Sequence, residues 1–141
     1  MNLCNETVTV INQRYNQTEG YTEYKKTIIQ GTSWYGSLKS NVDSSGLKAA
    51  NQYIVRIPTN ASFNGKSYVD PIAYSKLTNA KADEFFTFAN GDLIVHGSVA
   101  EPEAEITPKL IQDNYAEALT VLSVNDNRRT QNAPHWKVVG A

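Results

Sequence analysis

The chain is poor in the residues that most often announce chemistry. It has one cysteine, Cys4, one methionine and two histidines, His96 and His135, in 141 residues. A single cysteine excludes an internal disulfide framework and any multi-cysteine zinc site. Neither histidine has a second His or Cys at metal-ligand spacing. There is no Gly-x-Ser-x-Gly elbow and no His-Glu-x-x-His helix. A serine–histidine–acid triad needs no fixed spacing, and nothing in the sequence points to one. Excess charge of either sign is also lacking: 13 Lys+Arg against 14 Asp+Glu leave a net charge of -1. No global basic field is available to hold nucleic acid or an anionic membrane. No apolar run approaches the ~18–20 residues that span a bilayer. The first six residues lack the basic start and apolar stretch of a secretory signal, so the expectation is synthesis and folding in the cytosol. On that expectation the Asn-x-Ser/Thr triplets at Asn5, Asn16 and Asn60 carry no glycan.

What is present suits one domain over residues 1–141. Forty per cent of the residues are hydrophobic and 19 % charged, too apolar for a disordered chain and enough for one core. The patterning is mostly that of strands. Val8 and Val10 alternate with Thr7, Thr9 and Ile11. A turn cluster at 16–20, ending in Gly20, leads into a β-branched and aromatic stretch from Tyr21 to Tyr35, and this predicts an N-terminal hairpin. Gly31 marks a bulge or bend within that stretch. Residues 41–46 read as a loop. Tyr53, Val55 and Ile57 form a strand that Pro58 should end. Residues 59–84 are polar and read as a long loop, well beyond the median connection of ~4–6 residues. Phe85–Phe88 and Leu93–His96 flank Asn90-Gly91, a strong hairpin signal. Thr107 and Pro108 predict the N-cap and first position of a short helix, with Leu110, Ile111 and Tyr115 turned inward. Residues 118–124 are apolar on both parities, as in a central strand. Residues 125–127 read as a turn, and 136–139 as a last short strand or extended tail. The sum is a mainly β protein: a small antiparallel barrel or sandwich of about six or seven strands, with a long inserted loop and one short helix.

Four constellations could carry function. His96 ends an apolar strand and reads as a hydrogen-bonded strand-end histidine rather than a ligand. Glu101, Glu103 and Glu105 alternate around Pro102; a cation site or an acid–base pair is one reading, a solvated acidic loop the preferred one. Arg128 and Arg129 form the single adjacent arginine pair. They could clamp phosphates or carboxylates of a partner, or close a turn through local or intersubunit salt bridges, the preferred reading. Of the eight tyrosines, Tyr68 and Tyr74 in the polar segment are the best placed for contacts, with Lys66 and Lys76 beside them. These four are expected to project towards a partner. The segment 128–141, with Arg128, Arg129, His135 and Trp136, is expected to be a contact tail, because Arg and Trp favour interfaces. No catalytic residue, cofactor or metal ligand is expected.

One resemblance covers nearly the whole chain. It rests on an ordered set of motifs: Gln30-Gly31-Thr32-Ser33-Trp34-Tyr35; Gly46-Leu47-Lys48-Ala49-Ala50-Asn51 before Tyr53-Ile54-Val55-Arg56-Ile57-Pro58; Gly65-Lys66-Ser67-Tyr68-Val69-Asp70-Pro71; Asn90-Gly91-Asp92-Leu93-Ile94-Val95-His96-Gly97; Asp126-Asn127-Arg128-Arg129; and His135-Trp136-Lys137-Val138. The set resembles small minor capsid or head–tail connector proteins of tailed phages and prophages of Gram-positive bacteria, above all the head-completion "stopper" class. The resemblance implies a homo-oligomeric ring, a dodecamer, in the virion neck. The ring would sit between a portal-side adaptor and a tail terminator, with no membrane contact. Double-stranded DNA would pass through its lumen without sequence-specific binding, and a loop between barrel strands would enter the channel. A near-neutral chain agrees with a conduit through which DNA must slide. A tail terminator or another neck or tail component is the neighbouring alternative. A carbohydrate-binding β-module or a small hydrolase is the alternative from other classes.

Overall fold

The computed structural model describes residues 5–16, 18–43 and 46–141, with the stretch 37–51 and Asn79 described by backbone alone. Cys4, Gln17 of the first turn cluster, and Ser44 and Ser45 of the expected 41–46 loop lie outside the described residues. The fold is mainly β. Six strands close an antiparallel barrel: β1 (Glu6–Asn16), β2 (Tyr21–Asp43), β3 (Gly46–Pro58), β6 (Leu93–His96), β7 (Ala118–Asn127) and β8 (His135–Gly140). Around the barrel the order is β1-β2-β3-β8-β7-β6, and β6 pairs back onto β1. Two further strands of two residues each, β4 (Ser67–Tyr68) and β5 (Phe85–Phe86), pair in parallel beside it.

The N-terminal hairpin forms as its alternation predicts, with Val8 opposite Ile29 and Val10 opposite Thr27. Gly31 is the bulge. Thr7 pairs Gln30 while Glu6 pairs Thr32, so Gly31 is the unopposed residue, and its φ of 92° is one that glycine adopts without strain. Pro58 ends β3. The inward row Val8, Val10, Ile29, Val55, Ile57, Leu119, Val121 and Val138 fills the barrel with Phe86, Phe88 and Trp136.

A second cluster lies outside the barrel. Ile11, Leu93 and Val95 point outward from β1 and β6 and are roofed by Val99, Ile106 and Ile111. The roof is residues 97–117, which include a 3₁₀ turn (Glu103–Glu105) and helix α3 (Pro108–Asn114). Thr107 caps α3 as expected, its side chain accepting from the Leu110 amide at 3.1 Å. Cover on both faces explains why Val8, Thr9, Val10 and Ile11 of β1 are all fully buried.

Several expectations are corrected. Residues 59–84 are not a projecting loop. They fold into β4, α1 (Pro71–Ser75) and α2 (Asn79–Ala82) and return to their own barrel. Tyr74 is 3 % exposed and Ala82 fully buried, while Phe63 and Tyr68 pack on the central cluster. Arg14 of β1 donates to Leu77 O at 2.7 Å, and Lys25 of β2 pairs with Asp83 at 2.8 Å. The segment thus plugs the end of the barrel where Asn12, Arg14, Glu23 and Lys25 would otherwise leave a polar mouth. The expected hairpin at Asn90-Gly91 makes its turn, with Gly91 at φ 92°, but its strands do not pair. The Asn12 side chain takes the place of a strand neighbour, accepting from Thr87 N at 3.2 Å and donating to Thr87 O at 2.6 Å. Residues 125–127 continue β7 rather than turn. The 128–141 segment is no free tail: 135–140 is the strand that closes the barrel between β3 and β7.

Trp136 is therefore a core residue, 4 % exposed, opposite Ile57, with the tilted rings of Tyr68 and Phe88 at 4.8 and 5.5 Å. Trp136→Ala should cost about 3–5 kcal/mol in chemical denaturation. Deletion of residues 134–141 should abolish cooperative unfolding altogether. A truncated chain with the parent's unfolding midpoint would show that the barrel closes without β8.

Candidate functional site

The feature that stands out from the barrel is the long β2–β3 hairpin. β1 pairs with β2 only up to Thr32, and β8 pairs with β3 only from Tyr53 onward. Beyond those points 37–43 and 46–52 pair with each other alone, in unbroken register from Ser37↔Gln52 to Asp43↔Gly46. Seven pairs at the usual strand rise give a two-stranded ribbon of roughly 23 Å. Among the described residues no other strand pairs with its outer edges. An isolated ribbon of this kind is marginal in water, and both edges present free backbone donors and acceptors.

The ribbon is fixed at its root by an aromatic and ionic clamp. Trp34 of β2 and Tyr53 of β3 meet at 5.0 Å between ring centroids. Gly36 makes room for this: a Cβ there would stand 3.1 Å from the Tyr53 ring. On Trp34 lies the His96 imidazole, 5.0 Å away and within 6° of parallel. His96 Nε2 meets Glu6 Oε2 at 2.9 Å, and Nδ1 meets the Glu117 carboxylate. One histidine thus ties the start of β1, the end of β6 and the approach to β7 to the face of a β2 tryptophan. Burial acts to lower the His96 pKa, but the hydrogen bonds to Glu117 and then Glu6 outweigh it and raise it above the ordinary value of 6.5.

The residues expected to make contacts are dispersed. Tyr68, Arg128 and Trp136 do come together. The Arg128 guanidinium lies over the Tyr68 ring at 4.9 Å and the Trp136 ring at 5.2 Å. Asp126 holds it there through bonds of 2.8 and 2.6 Å from Nε and Nη2. This is the local salt bridge of the preferred reading, and it caps the aromatic core. His135 Nδ1 lies 2.8 Å from Ala133 O, and its Nε2 lies 3.3 Å from the Asn127 amide, at the start of β8. Lys66 is half-buried and donates to Lys26 O at 2.7 Å; burial lowers its pKa despite nearby Glu103 and Asp83. Tyr74 is turned into the plug with Arg14 5.7 Å from its ring centre, and burial drives its phenol far above the usual tyrosine range. Lys76 and Arg129 are on the surface.

Glu101 accepts from Tyr115 OH at 2.6 Å and Glu103 from the Lys26 amide at 2.8 Å, so the acidic stretch is fastened down by two of its carboxylates. Among the described residues no group of three His, Cys, Asp or Glu gathers as metal ligands. The ribbon is hard to read from the sequence because the hydrophobic alternation that marks 53–57 is missing from 37–52. The usable signal was the absence of proline from 37–52.

A family profile matches residues 3–141, and the chain belongs to that family, described as a family of unknown function (DUF6751). Searches of curated proteins and of solved structures each found no match.

The clamp has a pH signature. Because the folded pKa of His96 is raised, its stabilising contribution is complete below 6.5 and is lost as pH rises through the folded value. Melting temperatures recorded from about pH 5.5 to about pH 9 should fall across that window, and His96→Gln should remove that part of the slope. Superimposable profiles for the two proteins would mean that the clamp contributes nothing to stability.

Proposed function

We propose that this protein is a structural component of the neck of a tailed-phage virion, a head–tail connector of the stopper class. It works as a dodecameric ring between the portal-side adaptor and the tail terminator, and it helps retain packaged DNA. The motif order across the chain is the starting point. The observation that carries the reading is the two-stranded ribbon: seven of the eleven pairs of the β2–β3 hairpin lie beyond the last barrel pairings.

A compact closed barrel with one unpartnered arm suits a ring. The barrels form the wall, and the arms, marginal alone, gain partners where copies converge on the axis. The ribbon, rather than the segment 59–84 that was expected to project towards a partner, is the element that faces the channel in this reading. Its sequence supports that task. It is short-chained and polar, rich in Ser, Asn and Ala, with Lys39 and Lys48 against Asp43. Such a composition suits the passage of a phosphate backbone without strong salt-dependent binding. No turnover, cofactor or metal is asked of the chain in this role. It is made in the host cytoplasm and ends in the particle.

Joining Gly36 to Tyr53 through an Asn-Gly turn removes the ribbon and leaves every barrel pairing in place. Phage carrying that gene should produce folded protein and filled heads that leak DNA or fail to accept tails, with infectious titre almost abolished. Normal infectious particles, or purified virions that lack this chain, would overturn the reading.

A further inference from the structure

The barrel has two unlike sides. Across the outer face of β2, β3, β8 and β7, the register aligns Tyr35, Ile54, Val139 and Ser123 in one row. The bulge between Val121 and Ser123 adds Leu122 to its end. Tyr35 and Leu122 are each 58 % exposed, and Ile54 and Val139 are partly exposed. The next row is Ser33, Arg56, Lys137 and Asn125. This face therefore combines an apolar stripe with two cations and carries no carboxylate in either row. Among the described residues neither Arg56 nor Lys137 has an ion-pair partner.

In the ring of six strands, β3 and β8 lie opposite β6 and β1. The outer side of β1 and β6 is the one roofed by residues 97–117. That roof has Glu101, Glu103, Glu105, Asp113 and Glu117 against the single cation Lys109. Glu105 and Asp113 are exposed, and among the described residues neither is in a salt bridge. Pro102, Ala104 and Ala116 give the same surface exposed apolar atoms. Opposite charge and shared apolar character thus sit on diametrically opposed sides of one small barrel.

We infer that the chain binds a second copy of itself head to tail, the Tyr35–Leu122 face of one copy against the acidic 97–117 roof of the next. Arg56 and Lys137 meet Glu105 and Asp113, and Tyr35 and Leu122 supply the apolar anchors. A contact between two different surfaces is heterologous. It leaves each copy with one face free, so it continues into a closed ring or an open filament and does not stop at a two-fold dimer. The choice of a closed ring rests on the neck reading above; the matching of the two faces rests on the faces alone. Like charge on both partners would oppose association, while the observed opposite charge steers and registers it.

Sedimentation of the purified full chain tests this without any phage. At low salt, association should appear as concentration approaches about 1 mM and weaken as salt is added. R56E/K137E and E105K/D113K should each lower the association constant at least about tenfold. Their melting temperatures should stay near the parent's, since the four side chains lie at the surface. Mixing the two variants should restore association and give assemblies larger than two. Tyr35→Ser with Leu122→Ser should weaken association without changing its salt dependence. A monomer at every concentration, a mixture that stays monomeric, or a mixture that stops at a 1:1 dimer would each overturn the inference. Particle assembly judges the neck reading and sedimentation judges this one, so either can fail alone.

Discussion

The pairing of β3 with β8 is the interaction on which the rest of the molecule depends. β3 is shared between two structures: its second half is a barrel strand, and its first half is one side of the ribbon. Only the six pairs from Tyr53↔Gly140 to Pro58↔His135 anchor that shared strand on its far side. They put Trp136 opposite Ile57 and Val138 opposite Val55, which fills the barrel and fixes where the free ribbon begins. On its other side Gly140 lets β8 approach β7 closely, since a Cβ there would collide with the Thr120 carbonyl oxygen.

A six-stranded barrel is narrow enough for its own side chains to fill it, so its ends decide what else the chain must do. At one end, polar residues of β1 and β2 are covered by the 59–84 plug through backbone carbonyls and Asp83. At the other, Trp34, Tyr53 and His96 close the interior and hold the ribbon. The two ends differ in kind: ionic and backbone bonds seat the plug, whereas ring stacking with a histidine between two glutamates seats the ribbon. The residues that looked like contact groups, Tyr68, Tyr74, Arg128 and Trp136, are largely spent on these closures.

Much of the fold was legible because it follows local rules. Val8 and Val10 announced a face, Gly31 a bulge, Pro58 a strand end, and Thr107-Pro108 a helix start; each was decided within a few residues. What was illegible depended on distant partners. Asn12 satisfies the backbone of Thr87 across 75 residues of sequence, so the Asn-Gly turn lost its hairpin to a side-chain amide. Phe63, Tyr68, Tyr74 and Ala82 anchor the plug at irregular spacing, which reads as a loop when taken in order. Whether Trp136 faces core or solvent is set by its register with Ile57, which no local pattern encodes. The ribbon escaped for a different reason: residues 37–52 lack the alternation that marks 53–57.

Barrel closure also sets the order in which the chain can fold. β1 with β2, β2 with β3, and β7 with β8 are neighbours in sequence and need only short loops. The β1–β6 seam joins Val8 to His96, and the β3–β8 seam joins Tyr53 to Gly140. Loop closure across such separations costs entropy before any contact rewards it, and high contact order slows folding to milliseconds or longer, to about seconds in all-β domains. The two hairpin-rich halves therefore expose strand edges while they wait for each other, and the β3 edge is the longest of them. Of the six barrel strands β8 leaves the ribosome last, so the barrel cannot close before residues 135–140 have been made.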